Sequence, residues 1–132
     1  MLSKTTQYAL KASAYLAKNS SVDHKILASD LAKNVEVPQA FLSKILQRLT
    51  SKGYVSSTKG PNGGYYFTPE QLQNSAYDVI LAVENRDVMG HCAMSLTACN
   101  EQNPCALHEH IVAAKSALKR SLEQLTLNEL SH

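Results

Sequence analysis

This 132-residue chain has no long apolar run, few cysteines and no N-terminal secretory signal. No apolar run approaches the roughly 18 residues of a membrane span, so we expect no membrane partner. There are only three cysteines, and an odd number leaves one thiol over in any disulfide scheme within the chain. The N-terminal stretch has no secretory signal, because Lys4, Lys11 and Lys18 interrupt its one apolar segment. These absences predict a single soluble domain in a reducing, cytoplasmic compartment.

The net charge of +2 conceals an asymmetry along the chain. Residues 1–69 carry nine Lys and Arg against three Asp and Glu, whereas residues 70–132 carry four against eight. The first half is therefore basic and the second acidic. A basic half suggests contact with a polyanion, although many solvated helix faces are also rich in lysine.

The sequence of the first half predicts an initial helix over residues 3–18. Two further helices, joined by a short turn, follow it. A short helix is expected at about residues 29–33, ending at Asn34, a residue type that tolerates the left-handed conformation of a turn. Pro38 is favoured as the first residue of the next helix, and Gly53 supplies its C-cap. The apolar face of that helix consists of Leu42, Ile45, Leu46 and Leu49.

The outer face of this last helix is polar, as in a helix-turn-helix whose second helix enters the major groove of DNA. Glutamine and serine can donate to and accept from base edges, while lysine and arginine suit phosphates or guanine. A solvated helix face is the alternative on this helix alone. The candidate DNA-binding residues here are Gln39, Ala40, Ser43, Lys44, Gln47 and Arg48.

Two β-prone runs, residues 54–58 and 65–68, follow Gly53 and enclose a glycine-rich tip. They predict a hairpin, and a hairpin directly behind a recognition helix is the wing of a winged helix. Glycines at its tip would allow positive φ angles and close approach to a nucleic-acid backbone. An ordinary connecting hairpin is the alternative. The candidate DNA-binding residues of the wing are Lys59, Gly60, Pro61, Asn62, Gly63 and Gly64.

In the second half, Ser75 can cap a helix, and a long loop over residues 85–103 follows. The apolar residues of that helix are Ala76, Val79, Ile80 and Val83. Asn103 is then expected as the cap of a long last helix and Pro104 as its first residue. Along that helix an apolar stripe predicts a contact between two subunits, unless it packs within one subunit. The stripe consists of Ile111, Ala114, Leu118, Leu122 and Leu125.

Cys92, Cys99 and Cys105 fall within fourteen residues, and His108 follows the last by three positions, one helical turn. Three thiolates and one imidazole would satisfy a tetrahedral zinc site or a [2Fe-2S] cluster, while three cysteines and an outside ligand could hold [4Fe-4S]. The gaps between the cysteines are longer than those of most structural zinc sites, so the spacing disfavours a zinc site. Three unligated cysteines remain an alternative, as do other fourth ligands, namely His91, Glu109 and His110.

The sequence resembles the IscR/NsrR family of bacterial transcription regulators over nearly its whole length. The motifs that carry the resemblance are the wing sequence over residues 59–65, the helix sequence over residues 41–46, the three-cysteine segment and the ending over residues 126–130.

The resemblance implies a cytoplasmic homodimer that binds double-stranded operator DNA and uses an iron–sulfur cluster as its sensor. Cys92, Cys99 and Cys105 match the family's cysteine ligands, and His108 matches the histidine ligand of the IscR branch, which favours [2Fe-2S] over [4Fe-4S]. Such a cluster is easily lost from a purified sample. Ser43 stands where the IscR branch has a glutamate that adjusts operator choice, so the operator preference is not transferred.

We therefore predict a mainly α fold: a winged helix-turn-helix with a small β-hairpin wing and a long C-terminal dimerisation helix. Its expected divisions are a DNA-binding domain (1–84), a cluster-binding loop (85–103), and a dimerisation helix with a C-terminal tail (104–132). The expected function is that of a transcriptional regulator, a repressor, controlled by iron–sulfur status, nitric oxide or redox state, and not of an enzyme. The alternatives are a cluster-free thiol switch on the three cysteines and a small iron–sulfur electron carrier.

Overall fold

The computed structural model describes residues 2–84 and 102–131, which form five α-helices and one β-hairpin. Short 3-10 turns lie at Gln71–Gln73 and Glu129–Ser131. The predicted mainly α winged-helix architecture is confirmed. The predicted loop over residues 85–103 lies outside the described residues except for its last two. In chain order the elements are α1 (Lys4–Asn19), α2 (Ala28–Val35), α3 (Gln39–Ser51), β1 (Ser56–Thr58), β2 (Gly64–Tyr66), α4 (Ala76–Glu84) and α5 (His108–Gln124).

Helix α2 is longer than the sequence predicted. It continues through Val35, and the left-handed residue that ends it is Glu36, with φ of 56°, instead of Asn34. The Asn34 side chain donates to the Asp30 carbonyl at 2.8 Å, one turn back, so Asn34 stays inside the helix. The Val37 amide then closes the helix end on the Ala32 carbonyl at 3.0 Å.

The apolar face of helix α3 was predicted correctly, but its first residue was not. Pro38 has extended backbone angles and is the N-cap, because its carbonyl accepts the first helical bond, from the Leu42 amide at 3.0 Å. At the other end Lys52 is the C-cap, and Gly53 follows it with φ of 80°. The four predicted apolar residues of α3 are all buried and join α1, α2 and α4 in one core.

The wing is an antiparallel hairpin that pairs Ser56 with Tyr66 and Thr58 with Gly64. Its paired strands are shorter than the two β-prone runs of the sequence. A third piece of chain joins it, because Ile26 exchanges both backbone hydrogen bonds with Tyr65, at 2.9 and 2.7 Å. The segment before α2 is therefore fixed to the wing.

Helix α4 begins as predicted. The Ser75 hydroxyl accepts from the Asp78 amide at 3.0 Å, while the Asp78 carboxylate accepts from the Ser75 amide at 2.9 Å. This reciprocal pair is a capping box, in which two amides at the helix start are satisfied by side chains. Six of the nine residues of α4 are buried, so α4 is the central helix of the core.

Helix α5 begins later than predicted, at His108 instead of Pro104, and neither Asn103 nor Pro104 starts it. The His108 amide donates to the Cys105 carbonyl at 3.1 Å, which closes a turn before the helix. The first helical bond runs from Ile111 to Leu107, also 3.1 Å. Cys105 therefore lies in the turn that precedes α5. Leu125, which the sequence placed on the apolar stripe, is the C-cap of α5.

The C-terminal tail packs back onto the first half of the chain. Leu127 is completely buried in the main core, and its amide donates to the Asn74 carbonyl at 2.8 Å. The Ala76 amide, in turn, donates to the Leu125 carbonyl at 2.8 Å. The predicted division into a DNA-binding domain (1–84), a loop (85–103) and a C-terminal part (104–132) stays a prediction. The structure adds that the C-terminal tail packs into the core of the winged helix.

Within the described ranges, no helix has both the length and the apolarity that crossing a membrane requires.

Candidate nucleic-acid interface and cysteine site

Helix α3 presents one polar face that no other described element covers. Gln39, Ala40, Lys44 and Gln47 are exposed, and Ser43 is half-buried at the edge of the core. The opposite face is anchored by four buried apolar residues, so the orientation of the polar face is fixed by the core. This arrangement presents amide, hydroxyl and ammonium groups on one side of a rigid helix, as direct contact with base edges and phosphates requires.

Arg48 differs from the other candidates on α3. Arg48 is exposed as a whole, but its guanidinium Nη1 donates a hydrogen bond to the Val83 carbonyl near the described end of α4. The structure thus gives this cation a partner within the chain.

The wing tip divides into an exposed and a buried part. Residues 59–62 are exposed, and Gly60 has φ of 102° with open space around it. Gly63 and Gly64 are buried: a Cβ on Gly63 would lie 2.4 Å from the Thr58 carbonyl oxygen. The missing side chain at Gly63 thus allows the hairpin to close, and at Gly64 it allows the close approach of Ile26.

Sequence reasoning missed one cation beside the wing. The Lys25 ammonium lies 5.5 Å from the centre of the Tyr66 ring, and the neighbouring Ile26 pairs with β2. A single β-bridge is too short to produce a period in the sequence, so no sequence pattern indicated this contact. Lys25 is half-buried and adds positive charge next to the hairpin.

An open cleft lies between the segment that carries Lys25 and the wing tip. Asp23, Lys25 and Asp30 line it on one side, and Pro61 and Asn62 line it on the other. The two carboxylates disfavour DNA phosphates in this cleft, so the candidate DNA contacts are those on α3 and the exposed wing tip.

The cysteine site is described only in part. Cys105 and His108 are half-buried and adjacent, joined by the backbone bond that closes the turn before α5. Cys92 and Cys99, together with His91, lie outside the described residues, while Glu109 and His110 are exposed. Within the described part of the chain no three His, Cys, Asp or Glu side chains converge on a metal position. Thiol and imidazole donors are those that iron–sulfur clusters take, so the donor chemistry of this end of α5 fits such a group.

The end of α4, which precedes the cysteine segment in the sequence, is held by two side-chain hydrogen bonds. Glu84, the last residue of α4, accepts a hydrogen bond from the Thr6 hydroxyl at 2.6 Å and another from the Ser3 hydroxyl. Thr6 is completely buried, and the Ser3 hydroxyl also caps α1 through the Thr6 amide at 3.1 Å. The C-terminal end of α4 is therefore tied to the N-terminal end of α1.

Helix α5 is unlike the other helices because none of its residues, His108–Gln124, is buried. Its C-terminal end meets the start of α4, and Lys119 lies over the Tyr77 ring at 5.5 Å. With 17 residues, α5 is about 25 Å long at 1.5 Å per residue. Of the predicted dimer residues, Ala114 is exposed and the others are half-buried: Ile111, Leu118, Leu122 and Leu125.

Comparison with known families agrees with this geometry. The family model described as "Rrf2: Iron-dependent Transcriptional regulator" matches residues 2–132. The chain belongs to the Rrf2 family.

Individual Rrf2 relatives cover almost all of the chain. An HTH-type transcriptional regulator of Aquifex aeolicus is 31% identical over 132 residues, which are 98% of this chain and 90% of the relative. The transcriptional regulator IscR of Escherichia coli is 28% identical over 129 residues, covering 98% of this chain and 78% of IscR. The resemblance that the sequence indicated is confirmed, and the chain is a transcriptional regulator, not an enzyme.

Solved structures show the same fold. CymR, the global cysteine regulator of B. subtilis, superposes with a TM-score of 0.76 at 23% identity, covering 99% of this chain and 95% of CymR. T. potens IscR superposes with a TM-score of 0.72 at 18% identity, covering 98% and 85%. At these identities the similarity establishes the winged-helix fold of an Rrf2 protein.

Proposed function

We propose that this Rrf2 regulator is a homodimeric repressor whose affinity for operator DNA is controlled by an iron–sulfur cluster held by Cys92, Cys99, Cys105 and His108. The observation that carries the proposal is the turn before α5, where Cys105 and His108 lie side by side and half-buried. Relatives named IscR and the family's description as iron-dependent support it. As a DNA-binding regulator, the protein would act in the cytoplasm.

In this proposal helix α3 binds in the major groove of DNA, and the wing contacts the DNA beside it. Gln39, Ser43 and Gln47 would meet base edges, while Lys44 and Lys59 would meet phosphates. In a two-fold symmetric dimer, two copies of α3 enter successive major grooves, about 34 Å apart. The operator would then be a near-palindrome.

The apolar stripe of α5 supplies the dimer contact. Ile111 and Leu118 are only half-buried within one chain, and the exposed Ala114 lies between them on the stripe. A second copy of α5 would remove this apolar surface from water, which stabilises the dimer by roughly 25 cal/mol per Å² of apolar area buried.

The cluster, when bound, supplies a redox-active and oxygen-labile centre of the [2Fe-2S] type in preference to [4Fe-4S]. The thiols of Cys92, Cys99 and Cys105 would hold it as thiolates, and the His108 imidazole as a neutral donor. These four residues link the end of α4 to the start of α5, so their ligation would fix the path of the chain between two helices. By linkage, any effect of the cluster on DNA affinity is matched by an equal effect of DNA on cluster affinity.

The test is anaerobic purification followed by visible absorption and by iron and sulfide analysis. We expect a brown protein that loses its iron and sulfide in Cys92→Ala, Cys99→Ala and Cys105→Ala. His108→Ala should shift the absorption spectrum or lose the cluster, whereas the exposed neighbour His110→Ala serves as the matched control and should keep it. A colourless protein without iron after anaerobic reconstitution would contradict the proposal.

A cluster-free thiol switch is the second candidate, and the fold shared with CymR favours it. Staphylococcus aureus CymR, solved also in an oxidized form, superposes with a TM-score of 0.73 at 22% identity. In that case metal-free protein would change its DNA affinity on treatment with peroxide and recover it with dithiothreitol. The electron-carrier alternative has no support from the relatives named above, which are regulators.

A further inference from the structure

Arg48 lies on the recognition helix, but its guanidinium is directed at another helix. Nη1 donates to the carbonyl of Val83, in the last turn of α4. Hydrogen bonds from a charged donor are among the stronger ones in proteins, so this bond holds the Arg48 side chain against α4.

A second residue on the Arg48 side of α3 contacts another helix. Phe41 precedes Arg48 by seven positions, two helical turns, and so lies on the same edge. The Phe41 ring packs edge-on against Tyr8 of α1, with ring centres 5.9 Å apart and planes at 81°. Lys44, one turn before Arg48, and Gln47 are exposed. Phe41 and Arg48 thus contact α1 and α4, whereas Lys44 and Gln47 face DNA in the proposed complex.

The end of α4 that Arg48 contacts is itself fixed. Glu84 follows Val83, and its carboxylate accepts the hydroxyl of the buried Thr6 at 2.6 Å as well as that of Ser3. The N-terminal end of α1 favours a negative group because of its unpaired amides. The last two residues of α4 therefore connect α1 to α3.

We propose that Arg48 is a positioning residue that sets the angle of the recognition helix through the end of α4, and that it makes no phosphate contact. Glu84 holds that end in place. This inference rests on the DNA-binding part of the proposed function and is independent of the cluster. It replaces the phosphate or guanine contact that residue type alone suggested for Arg48.

The salt dependence of DNA binding separates the two roles. Each phosphate contact contributes about 0.9 to the slope of log K against log salt concentration, because neutralising a phosphate releases a counterion. A positioning residue contributes nothing to this slope. The probe is a duplex of about 30 base pairs, selected by the wild-type protein from a random-sequence library, with affinity measured by fluorescence anisotropy at several salt concentrations.

We expect Arg48→Met to weaken binding about tenfold while leaving the salt slope at its wild-type value. Lys44→Met is the matched control: it removes one cation from the exposed face of the same helix, and its slope should fall by about 0.9 for each phosphate that is no longer neutralised. A slope reduced in Arg48→Met as in Lys44→Met would overturn the proposal. Wild-type protein that selects no duplex at all would instead overturn the DNA-binding function on which the inference rests.

A second variant keeps the test valid if Arg48→Met is too unstable to measure. Glu84→Ala removes the tie between α4 and α1 and leaves every cation of α3 and the wing in place. If the end of α4 positions α3, affinity falls several-fold at an unchanged slope. Removal of an anion with no positioning role would leave the affinity unchanged or raise it, and either result would overturn the proposal.

Discussion

At the scale of single residues, Gly64 shows how closely the wing is packed. A Cβ at this position would lie 2.7 Å from the backbone of Ile26, and the φ angle is 143°. Both the steric overlap and the backbone conformation exclude other residues without rearrangement.

Gly64→Ala is therefore expected to lower the free energy of unfolding by about 2–6 kcal/mol, since backbone strain and overpacking each cost about 1–3 kcal/mol. Gly60→Ala is the control, because Gly60 also has a positive φ but no atom within 4 Å of the added Cβ. Its loss should be about 1–2 kcal/mol smaller. Urea unfolding followed by circular dichroism measures both, and equal losses would show that Ile26 does not approach Gly64 closely.

Two buried hydroxyls are expected to have opposite effects on stability. Ser13 is completely buried, and its Oγ has no hydrogen-bond partner in the described structure, whereas the equally buried Thr6 donates to Glu84. An unsatisfied buried hydroxyl costs about 1–3 kcal/mol, and a hydrogen bond to a charged group contributes about 1.5–3 kcal/mol.

Ser13→Ala should accordingly raise the free energy of unfolding by about 1 kcal/mol, and Thr6→Val should lower it by about 2 kcal/mol. The midpoints of urea unfolding give both values. A loss of stability in Ser13→Ala would mean that the hydroxyl has a partner outside residues 2–84 and 102–131.

At the scale of elements, the C-terminal tail contributes to the core out of proportion to its length. Leu127 is fully buried and its backbone pairs with Asn74, so the tail connects the end of α5 to the start of α4.

We expect Leu127→Ala to destabilise the protein by about 2–5 kcal/mol, the cost of removing a buried leucine side chain. Leu27→Ala is the matched control, because Leu27 is 50% exposed and should cost less than about 1 kcal/mol. Thermal unfolding of the two variants distinguishes them. Similar midpoints would show that the tail is not part of the folded core.

The sequence predicted elements well where an apolar period and a cap coincide. Helix α4 was correct because Ser75 and the apolar residues after it indicate the same start. Helix α5 was placed too early because Asn103 and Pro104 form a start signal that the turn at Cys105 overrides. The role of the tail depends on contacts between distant parts of the chain, and local patterns carry no information on those.

The exposed residues of the candidate site could be predicted from the sequence, but their contacts with other parts of the chain could not. Helical spacing identified the exposed residues of α3, since that spacing also selects the buried face. Residue type alone assigned Arg48 to DNA, and only the structure shows its bond to Val83. Likewise, glycine content indicated a tight wing tip but could not show that Gly63 and Gly64 are buried.

At the scale of the whole molecule, the half-covered stripe of α5 determines the expected oligomer. Ile111 belongs to the stripe and is half-buried, whereas the adjacent Val112 is 45% exposed and lies about 100° around the helix.

Ile111→Glu should convert the proposed dimer to a monomer in sedimentation velocity, because a charge in an apolar interface loses its hydration without a partner. Val112→Glu, the matched control outside the stripe, should sediment like the wild type. A monomeric Val112→Glu beside a dimeric Ile111→Glu would place the interface on the other face of α5.

The position of Cys105 and His108 on α5 also has a mechanical consequence. Hydrogen bonds at Leu125 and Leu127 hold the C-terminal end of the helix, while Cys105 and His108 lie at the opposite end. The helix is about 25 Å long, so a tilt of about 10° about its C-terminal end would move the far end by about 4 Å. A displacement of a few ångströms at the thiol end would thus correspond to a rotation of several degrees where the tail enters the core.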